Sequence, residues 1–355
     1  MGDMTDSAER VPHILPLPHA LGTGIIIETG QILSDGNQAA IKQFIDEYES
    51  ALSRFRDDSL VGRMRTASHG GTFDFPDWAV ELFDLYDRLF EATAGAIDPC
   101  VGATLIQLGY ARSFEQQMLE QQTLERQTFE HRTLDHQAHA RNSKSAQSKS
   151  PTNPSPTNWD SYRTRITWRD IERHGTTLVT HAPVALDFGA AGKGYAVDLL
   201  AEQLQTTAAQ SFVIDAGGDM LIHGRQRPIT IALENPLDLT QAVGTASITE
   251  GALCASAPSR RHWTAHNGQQ VHHLINALDG QPVDEVTATW VSVTPQTGRQ
   301  QPFPTATADG LATALFTTSP ARLRAYFDFE CALLYADHTA AQSAAFPGAF
   351  FTEDR

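Results

Sequence analysis

The stretch Ala185-Leu-Asp-Phe-Gly-Ala-Ala-Gly-Lys-Gly-Tyr-Ala-Val-Asp198 constrains this chain more than any other. Pro183 to Leu186 is an apolar run that reads as a buried strand ending on the carboxylate of Asp187. Small residues follow, and from Lys193 to Leu204 apolar side chains recur at helical spacing. A strand ending in an acid, a glycine loop and a helix start together make a polyanion site. The loop backbone can approach a phosphate closely, and the helix start offers free N–H groups and partial positive charge. Lys193 adds a full charge and Asp187 an oxygen acceptor. The same residues also suit a tight strand-to-helix turn with no ligand.

Two familiar phosphate motifs are excluded. A P-loop needs glycine where Asp187 stands and Ser or Thr where Gly194 stands. The dinucleotide fingerprint fails because Gly189, Gly192 and Gly194 are wrongly spaced. The net charge of −16 makes a nucleic-acid backbone an unsuitable partner, so the expected anion is small and locally held. Cys100, Cys254 and Cys331 are far apart and odd in number, which fits a reducing compartment and suggests neither a disulfide framework nor a cysteine zinc site. No secretory signal is visible in residues 1–21, and no apolar run approaches the roughly 18 residues of a membrane span.

Along the chain, Gly22 to Glu28 reads as a first strand. Asn37 to Leu52 reads as a helix with Ile41, Phe44, Ile45, Tyr48 and Leu52 on one face. Ser59 can cap a short helix, and Phe75 to Glu91 is a second amphipathic helix that ends in the small-residue loop Thr93 to Cys100. Asp98 in that loop suits a turn former before proline as well as a ligand. Ile166 to Ile171 and Thr177 to His181 read as strands, and Ser211 to Gly224 as two strands about a Gly217-Gly218 turn. His272 to Gly280 joins a strand to an Asp-Gly turn. Asp309 to Phe316 is helical, so Asp309 and Thr313 share a face at i and i+4. Two oxygen side chains so placed can share a hard cation, or form a cap and a back-bonded threonine.

Between 115 and 157 the composition turns to Gln, Glu, His, Thr and Ser, with a five-residue echo that starts at Met118-Leu-Glu. A period of five drifts about 140° per step on a helix and builds no apolar stripe. The segment is expected to be a polar low-complexity insertion, part fluctuating helix and part disordered.

Six blocks in order resemble the FAD:protein FMN transferase (ApbE-like) family. They are Ser53-Arg-Phe with Asp58-Ser-Leu60, Thr93 to Val101, Asp187 to Asp198, Asp215-Ala-Gly-Gly-Asp219, His273 to Gly280, and Ala308 to Leu315. The resemblance implies an α+β fold of mixed β-sheets flanked by helices (T-fold-like), a single catalytic domain over about residues 15–350 that carries the 115–157 insertion. It implies transfer of the FMN half of FAD to a Thr or Ser hydroxyl of an acceptor flavoprotein, with release of AMP. By the same resemblance, Asp309, Thr313 and the carbonyl of Ala190 would hold Mg2+, an all-oxygen set that suits this ion. Leu21, Ala96, Ile97, Asp98, Asp187, Lys193 and Ile275 match positions near the FAD. His273 aligns with a histidine suited to act as general base, with His272 beside it as a rival.

The chain departs from the family at Asn276-Ala277, where Asp-Pro is usual, and at Leu253 to Trp263. Arg260 and Arg261 in the latter stretch could meet phosphate or acceptor, or simply solvent. Two other readings stand beside the transferase: a Mg2+-dependent FAD hydrolase, with water as acceptor, and a flavin-binding protein without catalysis. A cytoplasmic location is expected. Deleting residues 116–156 is expected to leave metal-dependent FAD cleavage largely intact, and a deletion variant that does not fold would sink the insertion reading.

Overall fold

The computed structural model describes residues 12–110, 166–265, 268–295 and 302–352. The 115–157 insertion therefore lies outside the described residues. The core is an eight-stranded sheet whose strands follow one another in chain order, each antiparallel to the next, with strands of smaller sheets inserted between some of them. Its strands are β1 (His13–Leu17), β2 (Ile25–Thr29), β3 (Phe212–Asp215), β4 (Asp219–His223), β5 (Gly251–Ser256), β6 (Val286–Val293), β7 (Glu330–Tyr335) and β8 (Ala340–Gln342). The expected α+β assembly of sheets and helices is present, and every ladder among the described residues is antiparallel.

Strand alternation gives the sheet two different faces. On one face Val213, Met220, Ile222, Leu253, Ala288 and Trp290 pack against Phe346 and against Leu233, Ala246 and Ile248 of a three-stranded sheet formed by 229–235, 238–248 and 348–350. The alternate residues, Asp219, Cys254, Ser256 and Thr289 among them, face the helices. Thr289 Oγ1 donates to Ala312 O at 2.7 Å and Cys254 Sγ lies 3.5 Å from Thr305 O.

Helices α1 (Asp35–Leu52), α2 (Ala79–Ala92), α3 (Gly192–Gln205) and α4 (Pro304–Ala314) build the other layer. The α1 stripe is buried as its spacing predicts, and Ser34 caps its start by accepting the Asn37 N–H. Ser59 likewise caps Leu60–Thr66 through the Gly62 N–H at 2.9 Å. The second helix begins at Ala79 rather than Phe75, because Pro76 shapes the preceding turn.

Helices α3 and α4 meet at their N-terminal ends. A Cβ on Gly194 would lie 2.3 Å from Thr305 O, so only glycine permits this approach. Asp198 then reaches across from α3 and accepts the N–H groups of Thr305 and Ala306 at 3.1 and 2.8 Å, capping α4 from its neighbour.

Three strand expectations are corrected. Pro183 to Leu186 is extended but joins no ladder; single bonds from Val184 N to Met64 O and Asp187 N to Pro99 O hold it. Within Ile166 to Ile171, Trp168–Asp170 is a 3-10 turn closed by Asp170, whose carboxylate accepts from the Thr167 N–H and hydroxyl. The first strand starts at Ile25, since Ala20–Gly22 forms a 3-10 turn; β1 precedes it.

Burial pushes the Asp198 carboxyl up to about 7. Its folded value then exceeds the unfolded 3.8, so its contribution is present below about pH 4 and is lost as pH rises through about 7. Asp198→Ala is expected to cost about 2 kcal/mol in urea denaturation, from two stranded N–H donors. Asp198→Asn is expected to flatten the pH slope of stability between about 4 and 7. An unchanged slope would remove this assignment.

Candidate functional site

The charged centre lies where α3, α4, β4 and β5 converge. Lys193, in the first turn of α3, places Nζ 2.6 Å from Asp219 Oδ2 and 3.3 Å from Asp309 Oδ1. Asp309 Oδ2 also accepts the Gly194 N–H at 3.0 Å. Both carboxylates are buried, and the Asp219 oxygens have no hydrogen bond of regular geometry. Taking such charges out of water is unfavourable unless they are paired, so the ammonium between them is the counter-charge.

The ionisation of the cluster follows from burial and neighbours. Burial, and then the Asp219 charge, push Asp309 well above the usual carboxylate range, against the pull of Lys193. For Lys193, burial pulls downward, but Asp219 and Asp309 outweigh it and the net direction is up.

One helical turn along α4 from Asp309, Thr313 Oγ1 lies 3.5 Å from Ala190 O and 3.5 Å from Ser256 Oγ. The Ala190 loop is fixed from behind: Ala191 N donates to Tyr86 Oη at 3.2 Å, and Tyr48 Oη donates to Gly192 O at 2.6 Å. Among the described residues no group of three His, Cys, Asp or Glu side chains could hold a metal. A cation here would rest on carboxylate, hydroxyl and carbonyl oxygens, the chemistry of a hard ion such as Mg2+ completed by water and phosphate. Two buried carboxylates, Asp219 and Asp309, share the single ammonium of Lys193, an excess of negative charge that fits a divalent cation.

A second group of residues surrounds the histidines. The Arg54 Nε lies 2.7 Å from Asp187 Oδ2, and its Nη1 donates to Tyr110 O at 2.7 Å. Its guanidinium sits between the rings of Phe55 and Tyr110, 4.3 and 4.1 Å from their centroids. Tyr110 stacks on Trp263 at 4.7 Å and receives a hydrogen bond from Arg261 Nη1 at 3.2 Å. Asp187, expected as an oxygen acceptor, pairs with Arg54 and accepts the Gly189 N–H at 2.6 Å.

The two histidines are distinguished by their hydrogen bonds. His272 Nδ1 accepts the Leu274 N–H at 3.2 Å, so its acceptor nitrogen is spent on the backbone. His273 Nδ1 faces the carbonyl of Arg261 at 3.3 Å. A carbonyl only accepts, so that nitrogen carries the proton and Nε2 keeps its lone pair. Burial, followed by the Arg261 charge, holds the His273 ring neutral, with its pKa lowered to about 3.

The remaining expected positions fall into two places. Ala96 O accepts the Ala277 N–H at 3.0 Å, which joins the 93–98 loop to the hairpin carrying Ile275. Ile275 packs with Leu105 and Tyr110. Ile97 N is held by Thr93 Oγ1 at 3.0 Å. Asp98 is buried and accepts the N–H groups of Cys100 and Trp168, a turn-forming duty. Leu21 adopts a left-handed conformation with φ of 55°, and its N–H donates to Glu49 Oε1 at 2.7 Å. Asp219 was the residue missed as a site member; its signal was an acid directly after a Gly-Gly hairpin turn. Gly217 and Gly218 both have positive φ and Ala216 N donates to Asp219 O, the two-residue turn that aims Asp219 at the helix layer.

A divalent cation at these oxygens would compete with the proton on Asp309. Mg2+ affinity, measured by isothermal titration, is therefore expected to fall by about tenfold or more from about pH 8 to about pH 5.5. A flat profile would show that Asp309 is not a ligand.

The model of the ApbE family matches residues 21–334. A FAD:protein FMN transferase from Haemophilus influenzae is 29% identical over 152 residues, 41% of this chain and 42% of that protein. One from Rhodobacter capsulatus is 30% identical over 149 residues, 41% of this chain and 27% of that protein. The chain thus spans under half the length of these curated relatives. The flavin transferase ApbE from Vibrio cholerae superposes with a TM-score of 0.68 at 20% identity, covering 95% of this chain and 99% of that one. The ApbE protein from Thermotoga maritima gives 0.68 at 17% identity, covering 94% and 97%. At these identities the two structures speak for the fold.

Proposed function

The chain belongs to the ApbE family, and from that membership we propose that it is an FAD:protein FMN transferase. In this reading it moves the FMN half of FAD to a Thr or Ser hydroxyl of an acceptor flavoprotein and releases AMP. The observation that carries the reading is the pairing of a buried oxygen-rich, charged centre at Asp309 with a histidine whose Nε2 is free to accept a proton.

Asp309, Thr313 and Ala190 O would hold Mg2+, which would supply charge neutralisation at the pyrophosphate. Lys193 and Arg261 add fixed positive charge toward the same anion. Leu21, Ala96, Ile97, Asp98, Asp187 and Ile275 are taken as the FAD-lining positions, with Asp187 kept in place by Arg54.

The acceptor hydroxyl oxygen forms a bond to the FMN phosphorus, and the bond from that phosphorus to the AMP phosphate oxygen breaks. The electron pair leaves with AMP. The hydroxyl proton goes to His273 Nε2, and the Nδ1–H bond to Arg261 O holds the ring in orientation. Burial, followed by the Arg261 charge, depresses this imidazole, and an arriving pyrophosphate would offset the Arg261 part.

Residues 15–350 are taken as one catalytic domain, with the 115–157 segment as its insertion. The three free cysteines, all buried, suit a reducing compartment, and we place the protein in the cytoplasm. Among the described residues no helix is long and apolar enough to cross a membrane.

The test is mass spectrometry of a reaction with FAD, Mg2+ and a candidate acceptor flavoprotein. AMP release with an acceptor heavier by FMN supports the reading; AMP with free FMN in the presence of a proven acceptor would make the protein a hydrolase. Asp309→Ala and Thr313→Ala are each expected to abolish metal-dependent cleavage. His273→Ala is expected to lower kcat by about 10²–10⁴-fold. His272→Ala is expected to leave the chemical step largely intact, and equal losses in the two histidine variants would remove the base assignment.

A further inference from the structure

We propose that Lys193 is an internal competitor of the divalent cation at Asp309, and that Asp219 receives its ammonium when the cation binds. The inference rests on the cation site proposed above and concerns how this chain's own charges set its affinity.

The contacts of Lys193 are unequal. Nζ lies 2.6 Å from Asp219 Oδ2 but 3.3 and 3.4 Å from the two oxygens of Asp309. The ammonium is therefore held firmly by Asp219 and loosely by Asp309. Asp309 has a second tie, the Gly194 N–H at 3.0 Å, which positions its carboxylate without Lys193. Asp219 has no hydrogen bond of its own and is buried, so Lys193 is what neutralises it. Separating Lys193 from Asp219 would strand a charge in the interior, whereas releasing Asp309 to a divalent ion replaces one positive partner by another.

The arrangement also explains why Asp219 stands opposite the cation residues without matching them. It comes from the sheet, on β4, whereas Asp309 and Thr313 come from one face of α4. Two carboxylates and one ammonium give the trio a net charge of −1 (−1 −1 +1). With the ammonium on Asp219 the pair is neutral, and Asp309 meets the cation with its full charge. Lys193 thus lowers cation affinity in the free protein and keeps a positive charge beside the pyrophosphate that the cation serves.

The test is titration of Mg2+ into the full chain without FAD, for the native protein and three variants. Lys193→Met makes the trio −2 and is expected to tighten Mg2+ binding about tenfold. Asp219→Asn makes it 0, leaves Lys193 with Asp309 alone, and is expected to weaken binding by about the same factor. The double variant restores −1 and is expected within about threefold of the native protein. Unchanged or weaker binding in Lys193→Met overturns the competition. A double variant as weak as Asp219→Asn overturns the receiving role, since Asp219 would then ligate the ion itself. If Lys193→Met fails to fold by circular dichroism, Asp219→Asn decides: undiminished affinity overturns the proposal. Thr313→Ala, titrated alongside, separates the two levels. If it weakens Mg2+ binding while Lys193→Met does not tighten it, this inference alone falls; if the native protein binds no Mg2+, the cation site falls and takes the inference with it.

Discussion

The site depends on the junction of two helix starts. Gly194 lets α3 approach the backbone of Thr305, and Asp198 then supplies the acceptors that the first turn of α4 lacks. These two contacts fix the rotation and height of α4 relative to α3. Everything else at the charged centre follows from that placement: Asp309 reaches the Gly194 N–H and Lys193, and Thr313 comes beside Ala190 O. A cap drawn from a neighbouring helix is stiffer than a local one, because neither helix can turn without breaking it. Preorganisation of this kind is what phosphoryl transfer needs, since positioning and electrostatics supply most of the catalysis.

The buried charges carry a cost that the fold accepts. Asp198, Asp219 and Asp309 are buried in one layer between helices and sheet, with the partly exposed Lys193 beside the last two, where unpaired ions are strongly unfavourable. Asp198 is answered by backbone N–H groups, Asp309 by an N–H and an ammonium, Asp219 by the ammonium alone. The graded satisfaction separates structure from chemistry. The fully answered carboxylate holds the helices together, and the two partly answered ones face the place where an ion and an anion would meet.

Much of this was legible in the sequence because it is local. The i, i+4 spacing of Asp309 and Thr313, the apolar stripe of α1 and the double glycine at 217–218 each dictate geometry within a few residues. What was not legible depends on partners distant in the chain. The segment 183–187 has the composition of a strand, but its neighbours are the ends of Leu60–Thr66 and the Pro99 turn, which offer one bond each and no ladder. Asp187 reads as an oxygen acceptor, but its partner Arg54, far upstream, shows only in the structure. His272 and His273 are indistinguishable as letters; a backbone N–H on one and a backbone carbonyl against the other separate them. Asp219 was visible in its block, but its role needed the parity of β4, which decides that it points toward the helices.

The departure at Asn276-Ala277 can now be argued from its contacts. Asn276 Oδ1 accepts the Leu278 N–H at 3.0 Å, and Asn276 O accepts from Gly280 N at 2.8 Å, closing the turn. A carboxylate oxygen at this position could make the same side-chain bond, so the turn survives the change from Asp to Asn. Ala277 donates its N–H to Ala96 O, a bond that proline has no hydrogen to make. The exchange therefore trades a fixed φ for a tether between the hairpin and the 93–98 loop. Both devices stiffen the same wall of the site, one through the covalent ring and the other through a hydrogen bond. The Asn276 amide is directed into its own turn, with Asp279 as its other neighbour at 3.5 Å. On this geometry the Ala277 bond bears on how firmly Ile275 and the 93–98 loop are held together.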